Sequence, residues 1–149
     1  MSQDGVDLET SLGYLLKEAS SALRVAMEEV LRPLGMNVTH YSCLELLAQR
    51  PGLSNSELAR GAFVTRQTMN VLLQTLERDG QVTRPAEAPV GKVLPTQLTP
   101  RGRRQLEKAS AAVRSVELRM LAGLTETEQS AAFRMLRSMI DSLREGSSR

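Results

Sequence analysis

The stretch SNSELARGAFVTRQTMNVLLQTLERDG, from Ser54 to Gly80, restricts the possible folds of this chain more than any other. Ser54 and Glu57 stand three apart, the spacing at which each side chain satisfies the other's backbone N–H, so a short helix opens there and runs to about Gly61. After Ala62-Phe63-Val64, Thr65 can cap a second helix reaching about Asp79, with Gly80 in the C-terminal cap position. Around this second helix Met69, Leu72, Leu73 and Leu76 converge on one arc of about 100°. Two short helices joined by a tight turn follow, the second with a buried apolar face.

The opposite face carries the chemistry. Gln67, Asn70, Val71, Gln74 and Arg78 point outward, with Arg66 at the edge. A merely solvated face would more often carry Glu and Lys. Thr65, Thr68, Asn70, Gln67 and Gln74 offer donors and acceptors suited to base edges, Val71 can meet a thymine methyl, and Arg66 with the first-turn amides suits a phosphate. After Gly80 the period changes to short extended pieces: Gln81 to Arg84, a link holding Pro85, Pro89 and Gly91, then Lys92 to Thr99. This predicts a β-hairpin wing, with Arg84 and Lys92 placing positive charge beside a DNA backbone or minor groove. From Arg60 to Arg104 eight basic residues face three acidic ones, a local surplus of five in a chain whose net charge is only +2, which is the asymmetry of a phosphate-facing module on a neutral scaffold.

The flanks are helical in pattern. Leu8 to Leu31 repeats apolar residues at helical spacing and is closed by Pro33 and Gly35. A second helix is expected from Thr39 as N-cap to the Pro51-Gly52 break. Thr99-Pro100 opens a further helix, which Gly123 interrupts, and Thr125 with Glu128 opens the last, with Phe133, Leu136, Met139, Ile140 and Leu143 on its apolar face. With 149 residues, no Trp and 3% aromatics, one domain is expected, its core built from Leu, Val, Ala and Met, residues that favour helices. The fold class expected is mainly α with a small β-wing.

Several chemistries have no residues to run on. A single cysteine and a single histidine leave no disulfide framework, no metal cluster and no nucleophile-base pair, so no metal, cofactor or enzymatic activity is expected. Cys43 reads as a small buried hydrophobe, the alternative being a redox-sensing thiol. No apolar run approaches the roughly 18 residues of a membrane span, and the N-terminus is acidic where a secretory signal would be basic. A cytoplasmic location, away from membranes, is expected.

The order of elements resembles the MarR family of bacterial regulators over nearly the whole chain. PGLSNSELARGAFVTRQTMNVLLQTLERDGQVTR looks like the family's helix-turn-helix and first wing strand, and LTPRGRRQLEKA like its second wing strand and following helix. Within them, Leu73, Leu76, Glu77 and Gly80 match L-x-x-L-E-x-x-G, and Leu98, Thr99 and Gly102 match L-T-x-x-G. The resemblance implies a single domain over 1–149, with a winged helix-turn-helix lobe at about 36–100 and dimerisation helices at about 8–34 and 101–145. It also implies a homodimer on double-stranded DNA, its recognition helices roughly 34 Å apart in successive major grooves, and release from an operator by a small aromatic or phenolic effector or by an oxidant. One departure stands out. Where the family's wing tip reads D-x-R or D-R-R, this chain has Val90-Gly91-Lys92, so α-helical readout through Gln67, Asn70, Val71 and Gln74 carries more of the specificity. For the effector, family position suggests the crevice where the first helix meets the Thr39 helix and the DNA-binding lobe, with Lys17, Arg24 and His40 as candidate anchors. Two other readings remain: a thiol switch at Cys43, and a winged-helix protein-interaction module that binds no DNA.

Overall fold

The computed structural model describes residues 5–84 and 96–147. Its elements follow the local stop and start chemistry. Helix α1 (Leu12–Leu31) is capped by Ser11, whose hydroxyl accepts the Tyr14 N–H. The expected start at Leu8 is corrected by four residues because Asp7 bonds the Glu9 N–H through Oδ1 at 3.1 Å and its carbonyl accepts from Thr10, a local turn that competes with helix. One 3-10 turn, Arg32–Leu34, follows, ended by Gly35 at φ 72°. Helix α2 (Val38–Gln49) is capped two residues before the expected position: Asn37, extended at φ −120°, accepts the His40 N–H at 2.8 Å, and Thr39 falls inside the first turn. Asn caps at least as well as Thr, and Glu28 of α1 takes the otherwise unpaired Val38 N–H at 3.1 Å.

Helix α3 (Asn55–Gly61) has the expected reciprocal Ser54–Glu57 box, at 3.2 and 3.0 Å. Helix α4 (Arg66–Arg78) is capped by Thr65 and followed by Gly80 at φ 74°. Strands β1 (Val82–Thr83) and β2 (Gln97–Leu98) pair antiparallel, Val82 opposite Leu98 and Thr83 opposite Gln97. The base of the wing is thus present, while its expected tip, Val90-Gly91-Lys92, lies outside the described residues. Helix α5 (Pro100–Leu121) and helix α6 (Glu126–Ser147) complete the order, α6 opening on the Thr125–Glu128 box at 3.1 and 2.9 Å.

The chain divides into two compact units, Met1–Val116 and Glu117–Arg149. In the first, Leu31, Leu44, Leu58, Met69, Leu73 and Leu76 are fully buried together, with Cys43, Val82, Leu106 and Ala109. Each large side chain of that set removed from water contributes about 1.5–3 kcal/mol, which fixes α3 and α4 against α2. Among the described residues of the second unit no large apolar side chain is buried: Leu118, Phe133, Met135, Leu136 and Leu143 are all exposed. Among the described residues no helix is long and apolar enough to cross a membrane.

The wing is hooked to the start of α5 by Thr99. Its hydroxyl donates to the Gly80 carbonyl at 2.6 Å and accepts the Gly102 N–H at 3.0 Å, while its N–H donates to the Gln81 carbonyl at 3.0 Å. A Cβ on Gly102 would overlap that Gln81 carbonyl. The L-T-x-x-G pattern is therefore a cap followed by a close backbone approach.

Candidate nucleic-acid interface

Helix α4 presents two faces of opposite character. Met69, Leu73 and Leu76 are fully buried and Leu72 partly so, while Arg66, Gln67, Thr68, Asn70, Val71, Gln74 and Arg78 are exposed. Every outward residue anticipated from periodicity is on the outer face. Their hydrogen bonds, however, divide them. Thr65 spends its hydroxyl on the fold, accepting the Thr68 N–H at 3.1 Å and donating to the Thr68 hydroxyl at 3.0 Å. It is a cap first, and the Thr68 hydroxyl, already accepting, keeps its own proton for an outside acceptor. Arg78 reaches back to the Thr75 hydroxyl at 3.3 Å.

Asn70 is held from the side. Asn55, the first residue of α3, donates its Nδ2 to the Asn70 Oδ1 at 2.8 Å, so the Asn70 amide has a fixed sense, with its NH2 group directed away from α3. Periodicity could not reveal this tie, because it joins two helices across the turn. Arg84, expected to place positive charge on the wing, has its Nε 3.8 Å from the Glu77 carboxylate, a loose pair at the base of the hairpin.

The turn itself holds a residue that sequence reasoning passed over. Val64 N–H donates to the Ala59 carbonyl and Phe63 N–H to the Arg60 carbonyl, the bonds that end a helix through one left-handed residue, usually Gly. Here that residue is Phe63, at φ 61°. The sequence pointed instead to Gly61, which lies inside α3 without positive φ, two residues before the left-handed position.

The anticipated effector anchors sit in different surroundings. Lys17 and Arg24 are exposed on α1, and His40 is half-buried with its Nε2 3.0 Å from Gln81 Oε1, joining α2 to the entrance of β1. An open crevice of about 200 Å³ lies elsewhere in this unit, lined by Tyr41, Ser42, Glu45, Leu46, Gln49, Arg50 and Gly61. Burial pushes the Glu45 carboxyl upward, but hydrogen bonds from Gln49, Ser110 and Tyr41 outweigh it and hold the group below the ordinary carboxylate range. An anion facing that crevice disfavours a carboxylate ligand there.

The thiol switch fails on both of its requirements. Cys43 is completely buried, and that burial pushes its pKa up to about 12, whereas a redox-sensing cysteine needs access and a thiolate. Among the described residues no group of three His, Cys, Asp or Glu could hold a metal.

A helical pair with an exposed polar second helix, followed by an antiparallel strand pair and a long helix, defines a winged helix-turn-helix protein. Residues 34–92 match the model of the MarR family. The chain is also 44% identical over 135 residues to the HTH-type transcriptional repressor Rv2887 of Mycobacterium tuberculosis, covering 91% of this chain and 97% of that one. The crystal structure of the M. tuberculosis MarR family protein Rv2887 in complex with salicylic acid superposes with a TM-score of 0.74 at 43% identity, covering 93% and 99%. The Rv2887 complex with DNA gives 0.72 at 43% identity, covering 87% and 98%. The chain belongs to the MarR family of transcriptional regulators.

Proposed function

We propose that this chain is a homodimeric transcriptional repressor that reads double-stranded DNA through α4 and releases it on binding a small aromatic or phenolic acid. It acts in the cytoplasm and is not an enzyme. The observation that carries the reading is the outer face of α4, where Gln67, Thr68, Asn70, Val71 and Gln74 stand exposed on a helix whose inner face is locked into the core. Amides of this kind discriminate bases by paired hydrogen bonds, each worth about 1–3 kcal/mol against the wrong base. Arg66 and the first-turn amides supply phosphate contacts. The relative's structures with DNA and with salicylic acid support the same pairing of ligands.

A ligand releases DNA only by binding the released geometry better. Binding to the DNA upstream of the chain's own gene, measured at two salt concentrations, tests the reading. Gln67→Ala is expected to lose preference for that site by roughly tenfold or more while keeping its salt slope, and Arg66→Ala to weaken all sequences and flatten the slope. Unchanged preference in Gln67→Ala would reject α4 as the reader. Absence of any salt-dependent binding would favour a protein-interaction module instead.

A further inference from the structure

Phe63 is the one bulky residue on the described chain whose backbone and side chain both run against the fold. It is the only non-glycine described residue with positive φ, at 61°, and the residue is 86% exposed. A single exposed aromatic is ordinary. A bulky aromatic in the left-handed region is a genuine outlier, because Cβ crowds the following carbonyl. The position needs only what glycine supplies: a left-handed residue that lets the Phe63 and Val64 N–H groups reach the Arg60 and Ala59 carbonyls and so stops α3. The side chain adds conformational cost and, being 86% exposed, returns little packing within the described chain. Strain of this kind, kept at an exposed turn, marks a residue used outside the fold.

Its place says by what. Phe63 stands two residues before Thr65, the cap of α4, and three before Arg66, on the turn that delivers the recognition helix. Thr65, Arg66 and Gln67 beside it are all exposed. We propose that Phe63 is a DNA-contacting residue, its ring seated on the apolar surface of the duplex, a deoxyribose face or a thymine methyl, at the flank of the site that α4 reads. The inference rests on the DNA-reading function proposed above. The contact is uncharged and displaces no counterion from a phosphate, so it adds affinity without salt dependence. The strain is then a cost to the free protein that the complex offsets.

The test combines two measurements with opposite signs. Phe63→Gly and Phe63→Asn both accept positive φ. Each is expected to leave the thermal midpoint of the DNA-free protein equal or a few degrees higher, to leave the oligomeric state as in the parent, and to weaken binding to the upstream DNA by roughly tenfold with the salt slope unchanged. Phe63→Tyr keeps the ring and is expected to keep the affinity. Replacing site thymines by uracil one at a time separates the sources: a loss at one position that Phe63→Gly no longer shows assigns the methyl, and uniform insensitivity assigns the sugar. Undiminished affinity in Phe63→Gly and Phe63→Asn overturns the inference while the DNA-reading function stands. A lower midpoint or a changed oligomeric state also overturns it, since the ring would then serve the fold or a subunit contact. If the parent protein shows no salt-dependent DNA binding, the function itself fails and this inference with it.

Discussion

Asn55 and Gly102 show how single residues outside the reading face govern it. Asn55 donates to the Asn70 Oδ1 at 2.8 Å, which leaves the second lone pair of that oxygen and the NH2 group in one orientation toward a base. Asn55→Ala is therefore expected to lose base discrimination at the position Asn70 faces, by a factor of about five to ten. The combined Asn55→Ala, Asn70→Ala variant is expected to lose little more than Asn70→Ala alone, so a double-mutant cycle on a single-position operator series checks the coupling; additive losses would show that the amide is not held. Gly102 works through space. Because a Cβ there would overlap the Gln81 carbonyl, Gly102→Ala is expected to cost about 1–3 kcal/mol, read by denaturant melting, and to loosen the hook that Thr99 makes between the wing and α5.

The helices depend on their caps, and the caps titrate. Glu57 is held below the ordinary carboxylate range by the Ser54 backbone N–H and hydroxyl, and Glu128 likewise by those of Thr125; Glu45 joins them through its three hydrogen bonds, net of the opposing effect of burial. A folded pKa depressed below the ordinary value of 4.5 contributes stability above that value and loses it as pH falls through the folded pKa. Melting midpoints are expected to hold above about pH 5 and to drop below about pH 4.5, and Glu57→Gln with Glu128→Gln to flatten that drop; an unchanged acid limb would remove these carboxylates as its cause. The same caps explain what was legible beforehand. Ser54, Thr65, Thr99 and Thr125 announce helix starts through side chains that act locally, so α3 to α6 and the buried face of α4 could be read directly. The Leu8 start and the Thr39 cap were misplaced because Asp7 and Asn37 compete for the same backbone groups a few residues away. Asn55, Phe63 and the Arg84–Glu77 pair were invisible because each depends on where the turn between elements places them, which periodicity does not encode. The wing tip Val90-Gly91-Lys92 lies outside the described residues.

At the scale of the molecule, the long helices α1 and α6 each carry exposed apolar side chains. Leu12, Leu15 and Leu16 on α1 and Phe133, Leu136 and Leu143 on α6 are exposed, and clustered exposed apolar side chains mark interaction surfaces. A second copy is the occupant the proposed function requires, since a two-fold dimer places two reading helices one DNA turn apart. Leu136→Glu with Leu143→Glu is expected to shift the protein toward monomer in sedimentation and to abolish operator binding, while the far-ultraviolet helical signal persists; a dimer that survives both changes would put the interface elsewhere. The central claim is that two copies of the outer face of α4 read a symmetric DNA site. Selection of binding sequences from a random DNA pool by the purified protein tests it most directly. The expected result is an inverted repeat whose half-site centres lie about 10 base pairs apart, roughly 34 Å, with preference at individual positions lost in Gln67→Ala. Enrichment of no sequence, or of a single asymmetric half-site, would contradict it.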